Sequence, residues 1–194
     1  MLTPSEIVRS VYGVVRLARL DPIGIQWLDR SPEGCWRSFR VAILVLPLEI
    51  LLTGFVLSYA TEIESIGRIL ATGCLAYIVS WTVFPVLAHP LIKALGREAR
   101  YGTMVTAINW SRVVIYAVAV PAAIVMLEGP LGLAVIIQLA FYVALIVYHW
   151  FIIKTALDIP GVQAAGLAVM EFILLLTVNE AAISMMTKGV AAAQ

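Results

Sequence analysis

Five long apolar runs separated by short polar links dominate the chain. They fall at about 41–60, 69–92, 104–127, 131–153 and 163–186. As helices rising about 1.5 Å per residue, each spans the roughly 30 Å of a bilayer's hydrocarbon core. The runs are continuous rather than alternating, which argues against barrel strands. The links "TEIESIGR", "KALGREARYG", "EGP" and "KTALDIPG" are short, so consecutive helices run antiparallel. The pattern predicts an all-α fold, a polytopic membrane helical bundle with five transmembrane helices.

The segment before the first run has a different pattern. "TPSE" reads as a helix start, with Thr3 as N-cap, Pro4 at the first helical position and Glu6 closing a capping box. At 100° per residue, Glu6, Arg9, Arg16 and Arg19 gather on one side, and Ile7, Val8, Val11, Val14, Val15 and Ala18 on the other. Such a helix either lies in the membrane interface or packs its apolar side on the bundle, and the two are compatible. The scattered arginines do not precede a compact apolar core, so this is not the pattern of a signal peptide. Asp21-Pro22 and Ser31-Pro32 then break the chain, and Trp27 and Trp36 read as headgroup-level anchors. Three regions follow: 1–40, a cytoplasmic N-terminal amphipathic or interfacial region; 41–187, the five-helix transmembrane domain; and 188–194, a short C-terminal tail.

Composition agrees with this reading. The 194 residues are 62% hydrophobic and 13% charged, with mean hydropathy +0.98; soluble proteins carry about 25% charged residues. The net charge of +1 gives no reason to expect nucleic acid as a partner. Its distribution matters more. Arg9, Arg16, Arg19, Arg30, Arg37 and Arg40 precede the first run, Lys93, Arg97 and Arg100 lie between the second and third, and Lys154 between the fourth and fifth. The positive-inside rule puts these on the cytoplasmic side, with the N-terminus cytoplasmic and, after five spans, the C-terminus outside. Cys35 and Cys74 fall at different depths, so no disulfide is expected, and no metal-ligand spacing or cofactor motif is present.

Within the apolar runs, ionisable residues stand out. Glu49, Arg112 and Glu171 each lie roughly 12–14 Å in from the cytoplasmic edge, with His149 somewhat shallower. Asn109, Arg112 and Tyr116 share one side of the third run, and Gln138, Tyr142 and His149 one side of the fourth. An ionised group at such depth costs roughly 2.5–3.5 kcal/mol on insertion scales, so partners are expected. Arg112 has donors enough for two carboxylates, and Glu49 or Glu171, or both, are its expected partners. The expected intramembrane polar cluster is Glu49, Asn109, Arg112, His149 and Glu171. Pro47, Pro85 and Pro121 interrupt the first three runs and predict bends.

Function is less legible. There is no phosphate loop, nucleophile elbow or HExxH, and the expectation is a non-enzyme. The polar cluster supports two readings. One is a structural or interaction module, or the subunit of a membrane assembly, whose partners are lipid and a second membrane protein or further copies of the chain. The other is a small oligomeric transporter or channel that uses the inner-half cluster. From "LARLDPIGIQW" through "EFILLLTVNEAAISM", including the basic inner loop "IKALGREARYGTMVTAINWSRV", the layout resembles the bacterial Yip1-domain membrane proteins. The resemblance implies a cytoplasmic N-terminal region followed by five membrane helices.

Overall fold

The computed structural model describes residues 2–58, 60 and 62–187, without the side chain of Leu127. The expected tail at 188–194 lies outside the described residues. The helices are α1 (Pro4–Ala18), α2 (Pro32–Ser38), α3 (Val41–Ser58), α4 (Ile66–Ala94), α5 (Tyr101–Glu128), α6 (Leu131–Leu157) and α7 (Gly161–Met186), with a 3-10 helix at Pro22–Trp27. Among the described residues, five helical segments are long and apolar enough to cross a membrane, the first formed by α2 and α3 together as Pro32–Ser58. The five runs read from the sequence are these five helices. Their outer surfaces are apolar and open, as lipid contact requires: Leu131 is 81% exposed, Ile66 74% and Ile136 65%.

α5 is the axis of the assembly. It packs against α1, α2, α3 and α6, and α7 bridges α6 to α4. From Met104 to Ser111 every residue of α5 is buried, so this half of the helix is enclosed on all sides. Trp110 is its largest fully buried side chain. The order around the bundle is α3, α5, α6, α7, α4. α3 and α4, although consecutive, are the loosely packed seam. Among the described residues, the Tyr77 hydroxyl donates across it to the Ala42 carbonyl at 2.6 Å.

The links are built as their residues dictate. Gly129 caps the end of α5 and Pro130 begins α6, which makes the "EGP" turn tight. Asp158 closes α6 in the left-handed region, φ 54°. Its carboxylate approaches Arg100 at 3.4 Å and Arg97 at 3.9 Å, tying two basic-side links together. At the other end the Glu64 amide donates to the Met186 carbonyl at 2.9 Å, which holds the α3–α4 link against the end of α7. α4 contains Pro90 as well as Pro85.

The N-terminal region caps one end of α5 and α6. Val14 and Leu17 of α1 are fully buried there, and the Tyr148 hydroxyl of α6 donates to the Val14 carbonyl at 2.8 Å. The apolar side of α1 thus packs in part on the bundle, while Val8 is 70% exposed. Backbone meets backbone at Gly24: a Cβ there would come within 2.4 Å of the Gly13 carbonyl oxygen, so both turns need glycine. Thr3 caps α1 by accepting the Glu6 amide at 3.2 Å. The expected reciprocal bond from the Glu6 side chain is replaced by an ion pair, because Arg37, 3.3 Å away, competes for that carboxylate. Asp21 and Ser31 cap the 3-10 helix and α2, so both predicted breaks are helix starts.

Two aspartates outside the membrane helices are held below the usual carboxylate range. The Arg16 guanidinium, hydrogen-bonded at 2.8 Å, and then the Ile23 amide lower Asp21. The Ser31 amide and hydroxyl, with Arg37 beyond them, lower Asp29. A carboxylate lowered on folding contributes stability above its unfolded value and loses it as pH falls through the folded one. Asp29→Asn is therefore expected to speed amide hydrogen exchange across residues 31–38 at about pH 6, and the difference from wild type should close below about pH 3. Tyr148→Phe leaves the Val14 carbonyl with one partner fewer, at a cost of about 0.5–1.5 kcal/mol. Limited proteolysis should then release α1 faster while the protection of α7 is unchanged.

Candidate functional site

α5 presents Arg112 at the end of its enclosed half, where the helix first opens toward α4. The guanidinium enters the turn of α4 just before Pro85. Pro85 cannot donate to the Trp81 carbonyl four residues earlier, and its ring disturbs the turn in which the neighbouring Ser80 carbonyl lies. Arg112 Nη2 donates to the Ser80 carbonyl at 2.6 Å, and Arg112 Cζ lies 4.4 Å from the centre of the Trp81 ring. Trp81 is 3% exposed, so the cation rests on a desolvated aromatic face. Arg112 Nε is buried with no hydrogen-bond partner.

The expected pairing of Arg112 with a glutamate is not what forms. Glu49 accepts from the Tyr116 hydroxyl at 2.6 Å and lies 3.4 Å from the Thr53 hydroxyl. Glu171 is paired with His149, Nδ1 to Oε2 at 2.8 Å, and both side chains are more than nine-tenths buried. The approach is off the line of a good hydrogen bond, so it is an electrostatic contact and Glu171 Oε2 keeps an open acceptor position. On the other side of the imidazole, Nε2 is 3.2 Å from the Ser111 hydroxyl, which donates to the Ile108 carbonyl at 2.7 Å. That hydroxyl proton is already used, so Ser111 is an acceptor for the ring and favours a proton on Nε2. Arg112 pairs with neither acid because the Ser80 carbonyl and the Trp81 ring take up its guanidinium, while each acid has a partner of its own.

The four ionisable groups still converge. Glu49, Arg112, His149 and Glu171 all line one cavity of about 200 Å³, to which each of α3, α4, α5, α6 and α7 contributes. Its walls are otherwise mostly apolar and aromatic, with Tyr77 and Phe84 from α4, Tyr116 from α5, Phe141 from α6 and Leu174 from α7. The cavity is smaller than the roughly 300–1,000 Å³ of drug-sized sites but of their usual kind, apolar with a few convergent polar groups. Asn109 does not join it: its amide donates to the buried Ser38 hydroxyl at 2.9 Å and clips α2 to α5. His89, near the basic end of α4, contacts Glu98 at 3.6 Å and stacks edge-on with Tyr101, away from the cavity.

Sequence reasoning did not select Trp81, Ser80, Tyr77 or Ser111 for this site. Tyr116 was on the correct side of its helix, one turn beyond Arg112. The signal that was available for Trp81 is an indole one turn before a helix-interior proline, at the depth of an unpaired arginine.

The fold and site together define an all-helical protein with five long apolar helices, the architecture of a polytopic membrane bundle around an intramembrane polar cavity. In comparisons with family models, curated proteins and solved structures, none matches the chain.

The placement of Arg112 is measurable. In detergent, a double-mutant cycle between Arg112→Gln and Trp81→Leu is expected to give a coupling of about 1–2 kcal/mol, the range of a desolvated cation–aromatic contact. The cycle between Arg112→Gln and Glu49→Gln should couple more weakly. The reverse order would restore the direct ion pair.

Proposed function

We propose that this chain is a membrane protein that binds a small solute in the cavity between its five long helices and moves it, as a transporter of simple construction. One observation carries the reading: Glu49, Arg112 and the His149–Glu171 pair line a shared space, and Arg112 is paired with neither acid. A charge group that served only to lock helices together would be expected to close on itself, with each donor and acceptor used. Here Arg112 Nε and Glu171 Oε2 are both left with capacity. The loose α3–α4 seam supplies the natural side entrance, and Pro47 and Pro85 mark where those two helices can bend.

We place the N-terminal region at the inner membrane surface of a bacterial cell, with the N-terminus cytoplasmic and the C-terminus periplasmic. The clustering of arginine on that side supports this orientation. So does Trp36, 77% exposed at the start of the first membrane segment beside Arg37 and Arg40. The layout resemblance to Yip1-domain proteins is consistent with the same arrangement. The interaction-module reading keeps one favourable observation, the exposed apolar residues Ile23 and Trp27 beside α1, which offer a surface to a second membrane protein or another copy of the chain.

A cavity-filling variant tests the reading. Ala119 lines the cavity and is half-buried, so Ala119→Phe should occupy the space while leaving detergent sizing unchanged. A thermal-shift panel of small cations, anions, zwitterions and neutral solutes is expected to contain a solute that stabilises wild type and not the variant. At a hundredfold excess over Kd the stabilisation is about 2.7 kcal/mol. If no solute in the panel separates the two proteins, the binding reading fails.

A further inference from the structure

The charges that meet at the cavity do not balance. Glu49 and Glu171 bring two carboxylates, and Arg112 brings the one fixed cation. With His149 neutral, the site holds one uncompensated negative charge; with His149 protonated, it holds none. Of the two acids, Glu49 accepts from the Tyr116 hydroxyl and Arg112 is turned toward Ser80 and Trp81 on α4, so Glu171 is the acid with an unused acceptor position. Glu171 lines the cavity, with Oε2 itself buried in the wall beside His149.

We infer that the solute of this site is a small organic monocation, an amine or quaternary ammonium ion with an apolar body, and that it exchanges against one proton held by the His149–Glu171 pair. This rests on the proposed binding role of the cavity. The wall chemistry fits such a ligand. Tyr77, Phe84 and Phe141 put aromatic side chains in the wall, which suits an ammonium ion, whose charge is attracted to ring quadrupoles, and the apolar remainder suits its hydrocarbon body. A carboxylate ligand would share the cavity with Glu49 and Glu171, and the guanidinium that could hold it is already engaged by the Ser80 carbonyl and the Trp81 ring.

The exchange follows from charge. A bound monocation and a bound proton each cancel the same surplus negative charge, and either one makes the second unfavourable in a low-dielectric site. Protonated site plus cation gives cation-bound site plus a proton released to water, so charge and atoms balance. The groups that face the pair are few. Arg112 and Tyr116 approach from α5, Glu49 from α3 and Tyr77 from α4. Tyr148, stacked on the imidazole at 5.9 Å on α6 itself, has its hydroxyl committed to the Val14 carbonyl. Of these, the His149–Glu171 pair is the one whose members neutralise each other only when the histidine carries a proton.

The experiment uses the full-length protein in detergent with three probes of one size: benzyltrimethylammonium, benzyl alcohol and benzoate. Calorimetry in buffers of differing ionisation enthalpy reads both Kd and the protons released. The ammonium ion should bind most tightly and release about one proton on the acid side of the titration, where its Kd should rise about tenfold per pH unit lowered. His149→Asn should keep cation binding and lose the proton release. Glu171→Gln should weaken the cation at least tenfold, with Glu49→Gln as a second variant if Glu171→Gln does not fold. Tighter binding of benzoate or benzyl alcohol overturns the cation assignment and leaves the cavity-binding role standing. Cation binding without proton release overturns the exchange. Binding of none of the three overturns the inference, and the thermal-shift panel with Ala119→Phe decides separately whether the cavity binds any solute.

Discussion

A guanidinium cannot be deprotonated under ordinary conditions and cannot be left bare inside an apolar helix bundle, and Arg112 forms no ion pair with either nearby acid. Its charge is met by the Trp81 face and by the Ser80 carbonyl. Much else depends on that choice. Because Arg112 is satisfied by α4, it draws α4 toward α5 at a level where these helices have few other contacts. Because no acid is consumed by it, Glu49 must find Tyr116 and Glu171 must find His149. One contact therefore distributes the polar partners over all five long helices and leaves a space where their heads meet.

The two halves of α5 divide the work. From Met104 to Ser111 the helix is enclosed by α1, α2, α3 and α6, and its polar residues are spent on fixed joints such as Asn109 to Ser38. From Arg112 onward it faces the cavity, where polar atoms are only partly used. The enclosed half supplies the rigid packing that holds the incompletely satisfied half in place, since incompletely satisfied polar networks persist only where surrounding structure determines them.

The helices were legible because the bilayer imposes length and composition at once. Each apolar run of the right length became a helix; most ends coincide with the run or pass it by one to four residues, and α3 stops at Ser58, short of the run's end. Depth was legible too. Counting from the basic links placed Glu49, Arg112, His149 and Glu171 at one level, and they line one cavity. Partnership was not, since it depends on which helices are neighbours and how they are rotated. Loop length says that α3 and α4 are antiparallel, yet gives no sign that α5 separates more closely to α3 than α4 does. Arg112 had a backbone carbonyl and an indole available, and neither carries the charge that a search for ion pairs looks for.

Burying acids without giving each its own cation has an energetic consequence. An ionised group at this depth is unfavourable by roughly 2.5–3.5 kcal/mol on insertion scales, and a hydroxyl such as Tyr116 recovers only part of that. The five helices hold together regardless, because α5 and its capping segments bury Val14, Leu17, Met104, Ile108, Trp110 and Ile152 almost completely. That packing lies mostly between the cavity and the basic end of the bundle. The cost of the polar groups is therefore met away from the cavity, and α3 is tied into that packing through Val41 and Val45 rather than through Glu49.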